Sequence, residues 1–318
     1  MLYKQHSPFS VQVELVEGCS LACSFCGING IRKGPGNFKY ARLGMLSRVA
    51  AEIARLKWTP RIEFAMHGEP SLHPKLLHCV RVFRRRLPHL SLMLTSNGAG
   101  FRGKQVERIV ALQRAGLNVL GLDNYDHDGS VPGIVRMLHK KHPSVPVRYY
   151  PEDKAASVYR KRKPDSFEVV VLADIRKHAT GTRKLANHAG QAFPPDTSKQ
   201  NQRCALPFRD LAIRWDGNVA ICCDDFRGTY KIANVKDMPL DALWQHPRFV
   251  AARKALYHRL RDFLPCAICN ATSIRPGLLP DPTGQESLPF PSSRDNQAMK
   301  DAVANGPYTK PVKRPWEM

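Results

Sequence analysis

Cys19, Cys23 and Cys26 sit in the stretch Glu-Gly-Cys-Ser-Leu-Ala-Cys-Ser-Phe-Cys-Gly, directly after the apolar run 11–16. The spacing is C-x3-C-x2-C, and the number three is what constrains the chain. A closed zinc or iron–sulfur site takes four protein ligands. Three thiolates on one tight loop hold three irons of a [4Fe–4S] cluster and leave the fourth iron open to something that is not protein. The other reading is three quarters of a zinc site, completed by one of twelve histidines. The loop follows the first predicted strand, at the C-terminal end where α/β folds place their chemistry.

The rest of the N-terminal part agrees with such a fold. Strand-like runs fall at 11–16, 61–66, 90–95, 117–123, 145–150 and 167–172, and helical patterns at 46–56, 75–86, 104–115 and 133–142. Short β-rich runs separated by amphipathic helices predict βαβ units and a parallel sheet. Residues 154–163 are basic and read equally as loop or helix. There is no N-terminal apolar h-region and no apolar run approaching about eighteen residues, which predicts a chain neither secreted nor membrane-spanning. The nine cysteines are clustered at metal spacings and predict a reducing, cytoplasmic compartment.

A second motif narrows the first. The sequence Ile-Glu-Phe-Ala-Met-His-Gly-Glu-Pro, ending at His67, Gly68, Glu69 and Pro70, follows the second predicted strand. Together with the three-cysteine loop it resembles the radical S-adenosylmethionine (SAM) enzymes, whose Gly-Gly-Glu-Pro segment lines the SAM amino group. His67 stands in place of the first glycine, so a side chain needs room there. The resemblance implies an open, partial (β/α)6 TIM-like barrel, a [4Fe–4S] cluster on Cys19, Cys23 and Cys26, and SAM on its open iron. It also implies cofactor contacts from Ser96 and Asn97 in the Thr-Ser-Asn-Gly turn and from Phe25 near the adenine. Simple turn and packing roles remain open for these residues. Relatives often carry a ribose-binding serine where this chain has Gly121, which leaves that contact unassigned.

Beyond residue 200, Cys204, Cys222, Cys266 and Cys269 form C-x17-C-x43-C-x2-C. Apolar runs on either side of Asp216-Gly217 predict a β-hairpin, and a helix is expected over 240–260. Four thiolates close a site, and a structural zinc ribbon would use similar ligands. Behind the first motif the segment resembles the SPASM/Twitch extension, which implies one auxiliary [4Fe–4S] cluster. Cys223 reads as the spare of an adjacent pair and Cys79 as core. The expected organisation is a barrel over 1–200, a small β-hairpin/helix auxiliary-cluster domain over 201–272 and a proline-rich extended or disordered tail over 273–318.

The substrate rests on charge. Lys and Arg number 49 against 27 Asp and Glu, a net charge of +22, with clusters at 84–86, 140–141, 160–163, 183–184 and 253–261. Such an excess predicts a polyanionic partner, with generically basic surfaces as the bland alternative. The first expectation is therefore hydrogen abstraction from a nucleic-acid base or an adduct on it, such as an isomerase-type rearrangement on phage DNA thymine in the host cytoplasm. The alternative is a SPASM/Twitch enzyme that modifies a peptide or oxidises a small metabolite. A non-enzymatic, metal-stabilised nucleic-acid-binding protein is the third. An external electron donor such as flavodoxin or ferredoxin is expected for the enzymes. Asp123, His127 and Arg148 are the candidate catalytic residues, with Tyr125, Asp126 and Tyr150 beside them and Asp224 and Asp225 flanking the second site.

Overall fold

The structure is a computed structural model that describes residues 7–31, 35–125, 129–153, 156–158, 160–174, 185–199 and 201–271. The candidates Asp126 and His127, the basic pair 183–184 and the expected tail 273–318 lie outside the described residues.

The strands are β1 (Ser10–Val13), β2 (Val16–Cys19), β3 (Gly36–Tyr40), β4 (Arg61–Phe64), β5 (Leu92–Ser96), β6 (Val119–Asp123), β7 (Val147–Tyr150), β8 (Glu168–Leu172), β9 (Asp210–Ile213), β10 (Asn218–Ala220) and β11 (Lys231–Asn234). The helices are α1 (Leu43–Arg55), α2 (Leu76–Arg86), α3 (Glu107–Arg114), α4 (Ser130–Lys141), α5 (Leu206–Arg209), α6 (Leu240–Trp244) and α7 (Pro247–Tyr257). Among the described residues nine strands form one sheet in the order β11-β10-β9-β1-β4-β5-β6-β8-β7. From β9 to β7 every pairing is parallel, and β10 and β11 add antiparallel to that edge. This mostly parallel, unclosed sheet with helices on its outer face is the expected partial TIM-like architecture.

Helical periodicity explains the outer layer. Leu46, Val49, Ala50 and Ile53 of α1 and Leu76, Cys79, Val80 and Phe83 of α2 are the buried stripes of their helices, spaced i, i+3, i+4, i+7. They join the outward residues of the strands, Ile62, Phe64, Leu92, Leu94 and Leu120 among them, in one core. Cys79 belongs to it as expected, and burial pushes its thiol up to about 12. The inner, concave face carries a smaller apolar group, Met93, Val119, Val170, Ala156 and Val158.

Three expectations change, and one reading left open is resolved. The run 11–16 is not one strand: β1 ends at Val13 and β2 starts at Val16, pairing with β3 in a separate hairpin. The sixth expected strand, β8, inserts between β6 and β7. Its continuous apolar run Val169–Val171 suits a strand covered on both faces, whereas β7, with Arg148 and an exposed Tyr149, suits an edge. The helix expected over 240–260 breaks into α6 and α7 at Pro247, whose ring fixes it in the first turn of a new helix. Within the basic segment 154–163, Ala156, Ser157 and Val158 are buried, Ala156 in a single helical turn and Ser157 and Val158 outside any helix, so the described part is packed loop and not one continuous helix.

Part of the positive charge is internal. Arg253 is fully buried and donates to the carbonyls of Pro207 and Trp244. Arg261 donates to the carbonyls of Gln202, Arg203, Cys269 and Ala271, and Arg84 to those of Gly116, Leu87, Pro88 and Leu90. Arg61 is buried and paired with Glu63. The clusters 84–86 and 253–261 therefore contain arginines that tie loops together, and Arg253 and Arg261 are buried away from any polyanion.

Candidate functional site

The parallel strands deliver their C-terminal ends to one rim, and the three-cysteine loop opens there. Cys19 ends β2, and the loop that follows is folded by hydrogen bonds from Cys26 N–H to Cys23 O at 3.0 Å and from Asn29 Nδ2 to Cys23 O at 2.7 Å. Cys19, Cys23 and Cys26 are all partly exposed and none is in a disulfide.

Glu69 organises the neighbouring rim. Its carboxylate is buried and accepts from Ser71 N–H at 2.9 Å, Ser96 Oγ at 2.6 Å and Asn97 N–H at 2.7 Å. Burial pushes its pKa up, against the downward pull of those three hydrogen bonds. Asn97 then reaches the cysteine loop, its Nδ2 lying 3.3 Å from Cys19 Sγ. Gly68 is required by close approach, because a Cβ there would overlap the carbonyl oxygen of Val16. Glu69 N–H donates to Gly18 O at 2.8 Å, and Pro70 opens the short helical turn that follows.

The side chain that replaces a glycine has found its room. Met66 takes a positive φ of 122°, where β4 has ended, and His67 is buried beyond it. Its Nδ1 lies 2.9 Å from Glu14 Oε1 and its Nε2 2.9 Å from the carbonyl oxygen of Cys223. Its ring packs on Phe226 at 4.1 Å.

Asp123 ends β6 on the same rim, and its pKa is pushed up to about 7 by burial and then by the Glu69 carboxylate, against a hydrogen bond from Tyr125. Tyr125 meets Phe25 edge-on at 5.0 Å, so Phe25 joins the cysteine loop to the end of β6. Gly121 faces Val158 Cγ1, Leu172 Cδ1 and the Thr95 hydroxyl, atoms that a Cβ would meet at 3.1, 3.4 and 3.5 Å. Arg148 is placed apart from this group: on the edge strand β7 it pairs with Asp153 and Glu168. Tyr150, on the same strand, packs against the small inner core.

At the second site Cys204, Cys222, Cys266 and Cys269 are all buried. Cys204 precedes α5 and β9, Cys222 follows β10, and the last two flank a short helical turn, as the predicted hairpin and turn require. Burial pushes the Cys222 and Cys266 thiols well up, each raised further by neighbours that include Cys204, and it pushes Cys269 up to about 12. Asp224 adds to the effect on Cys222 and Cys269, while Asp225 is spent on the backbone N–H groups of Thr229 and Tyr230.

Both donor sets fit iron–sulfur clusters. Four buried thiols that oppose each other's ionisation become stable thiolates only around a multivalent cation. The first set offers three partly exposed thiols at an accessible rim, with Asn97 Nδ2 3.3 Å from Cys19 Sγ. Among the described residues no three His, Cys, Asp or Glu side chains converge on a single-ion site, and no helix is long and apolar enough to cross a membrane.

Three contributors escaped the sequence reading: Glu14, Phe226 and His188. Each lacks a local signal, since its role comes from a partner distant in the chain. His188 Nδ1, for example, accepts from Gly27 N–H at 3.0 Å across 161 positions.

Comparison with known proteins adds to this geometry. The family model SPASM, an iron–sulfur cluster-binding domain, matches residues 204–270. The chain is 24% identical over 270 residues, 83% of this chain and 94% of the relative, to the S-adenosyl-L-methionine-dependent 2-deoxy-scyllo-inosamine dehydrogenase of Niallia circulans. In fold it is similar to the crystal structure of BtrN in complex with AdoMet and 2-DOIA, with a TM-score of 0.63 and 20% identity over 84% of this chain and 95% of that one. Selenomethionine BtrN in an open conformation gives 0.58 and 18% over 84% and 94%.

Proposed function

We propose that this chain, a radical SAM enzyme with a C-terminal SPASM domain, oxidises a hydroxyl-bearing carbon of a small polar metabolite to a carbonyl. The observation that carries this reading is the alignment with a SAM-dependent 2-deoxy-scyllo-inosamine dehydrogenase across 94% of the relative's length, a comparison of whole enzymes and not of one shared module. It takes the place of the nucleic-acid reading, whose support was the charge that buried arginines partly account for.

Oxidation of a carbinol to a carbonyl removes one hydrogen atom, one electron and one proton. Cys19, Cys23 and Cys26 would hold the cluster that binds SAM, and Cys204, Cys222, Cys266 and Cys269 the auxiliary one; once bound, these groups would supply hydrogen-atom abstraction and an acceptor for the electron. The chain's own residues handle the rest. Asp123, whose pKa of about 7 leaves it able to ionise near neutral pH, takes the proton from the substrate hydroxyl at a carboxylate oxygen in its ionised form. Glu69, through Ser96 and Asn97, fixes the rim beside Cys19. Phe25 and Tyr125 wall the site and exclude water. We give Arg148 no step, because its guanidinium is engaged by Asp153 and Glu168. The functional division falls near residue 200, with 1–200 binding SAM and 201–272 the auxiliary cluster, although β9 pairs directly with β1 in one sheet. Reduction comes from an external donor, for which a flavodoxin or ferredoxin is our candidate.

The test is 5′-deoxyadenosine release by the reconstituted, reduced protein with SAM. The expected result is stimulation by 2-deoxy-scyllo-inosamine or a similar small polyhydroxylated amine, and none by duplex DNA carrying modified thymines. Stimulation by the DNA alone would overturn the reading.

A further inference from the structure

Residues 188–190 run through three consecutive left-handed conformations: His188 at φ 45°, Ala189 at 56° and Gly190 at 74°. Two of the three are not glycine, so the turn is strained. Strain of this kind persists where surrounding contacts over-determine it, and it gathers at functional sites. The contacts here reach both cysteine sites.

One end is fastened beside Cys269. Asn187 N–H donates to Asn270 Oδ1 at 2.8 Å, and Asn270 N–H returns a bond to Asn187 Oδ1 at 3.2 Å. Asn187 Nδ2 donates to Ile268 O at 2.7 Å. Gly190 packs so closely that a Cβ would come 3.0 Å from Ile268 Cδ1. The other end is fastened beside Cys26. Gly27 N–H donates to His188 Nδ1 at 3.0 Å, and a Cβ on Gly27 would meet His188 Cβ at 2.7 Å and Phe226 at 3.0 Å. Phe226 lies between the His188 ring, at 4.9 Å, and the His67 ring, at 4.1 Å.

We propose that residues 187–191 are a positioning strap between the two clusters, with His188 as the residue that sets the environment of the SAM-binding one. The inference rests on the two-cluster reading and not on the substrate. An N–H engaged by His188 is not available to a cluster sulfur, and hydrogen bonds to sulfur are a main lever on cluster potential. His188 is therefore a positioning residue that touches neither substrate nor a cysteine ligand. Because one short turn carries both attachments, displacement of the Cys269 end is transmitted to Gly27.

The experiment uses the full chain, reconstituted with both clusters. His188→Leu fills similar space without an acceptor, and His188→Asn restores one. The expected result is full iron and sulfide content in both variants. In His188→Leu the midpoint potential of the SAM-binding cluster shifts upward and its electron paramagnetic resonance spectrum changes, and most of both effects is reversed in His188→Asn. Asn270→Ala, which releases the far end and leaves His188 in place, is expected to move the potential in the same direction by less. A wild-type potential and spectrum in His188→Leu would overturn the proposal, as would equal loss of iron from the Leu and Asn variants. All readouts are taken without substrate, so failure here leaves the oxidation reading standing, and failure of substrate turnover leaves the strap standing.

Discussion

His67 Nε2 lies 2.9 Å from the carbonyl oxygen of Cys223, so the side chain replacing a glycine in one cofactor motif is joined to the loop that carries the other. His67→Gly should remove that bond and the one to Glu14, and leave a cavity against Phe226. Unsatisfied buried groups and lost packing of this size cost about 2–4 kcal/mol. Urea unfolding of the reconstituted protein should show the loss, with some SAM cleavage retained because the motif's backbone remains. Unchanged stability would mean the ring only fills space.

Glu69→Gln tests whether the carboxylate organises the rim. Its two oxygens accept from two backbone N–H groups and a hydroxyl, whereas an amide must turn a donor toward one of these donors. SAM affinity should fall about tenfold or more, equivalent to about 1.4 kcal/mol, while the iron content of both clusters stays at the wild-type level. Calorimetric titration with SAM measures it, and wild-type affinity would contradict the role.

Asp123 gives a pH signature. Its folded pKa of about 7 lies above the ordinary 3.8, so the folded chain binds this proton more tightly than the unfolded chain does. The stability it contributes is fully present below pH 3.8 and is lost as pH rises through about 7. Turnover runs the other way, because the ionised form is the base, and should rise through the same region. Asp123→Asn should abolish turnover and flatten the thermal-stability profile between pH 5 and 8. A profile unchanged by the substitution would exclude Asp123 as its source.

The internal arginines separate structure from surface charge. Arg261→Met should destabilise the region around Cys269 by about 3–5 kcal/mol, since it strips donors from four carbonyls. Arg85→Gln, on the exposed side of the last turn of α2, should stay within about 0.5 kcal/mol. Thermal melts of the two variants decide this, and equal effects would contradict it.

Whatever depended on short spacing was readable in the chain. The C-x3-C-x2-C loop, the His-Gly-Glu-Pro segment and the Asp216-Gly217 hairpin each fold over a few residues, and helical stripes such as Leu46, Val49, Ala50 and Ile53 declare their buried face locally. What escaped depends on partners far away in sequence. Nothing in Val169–Val171 says that β8 sits between β6 and β7, and nothing near His188 announces Gly27. The basic runs misled because net charge does not distinguish an exposed Arg85 from an Arg253 buried against carbonyls. The pause between β1 and β2 was hidden by a strand-like run over 11–16, although Glu14 within it turns to meet His67.

The most direct test of the central claim is substrate deuterated at the reacting carbinol carbon, supplied with SAM to the reduced, reconstituted protein. The account predicts deuterium in the 5′-deoxyadenosine released, together with a carbonyl product in equal amount. Deuterium transfer without a carbonyl product, or 5′-deoxyadenosine that stays unlabelled, would contradict it.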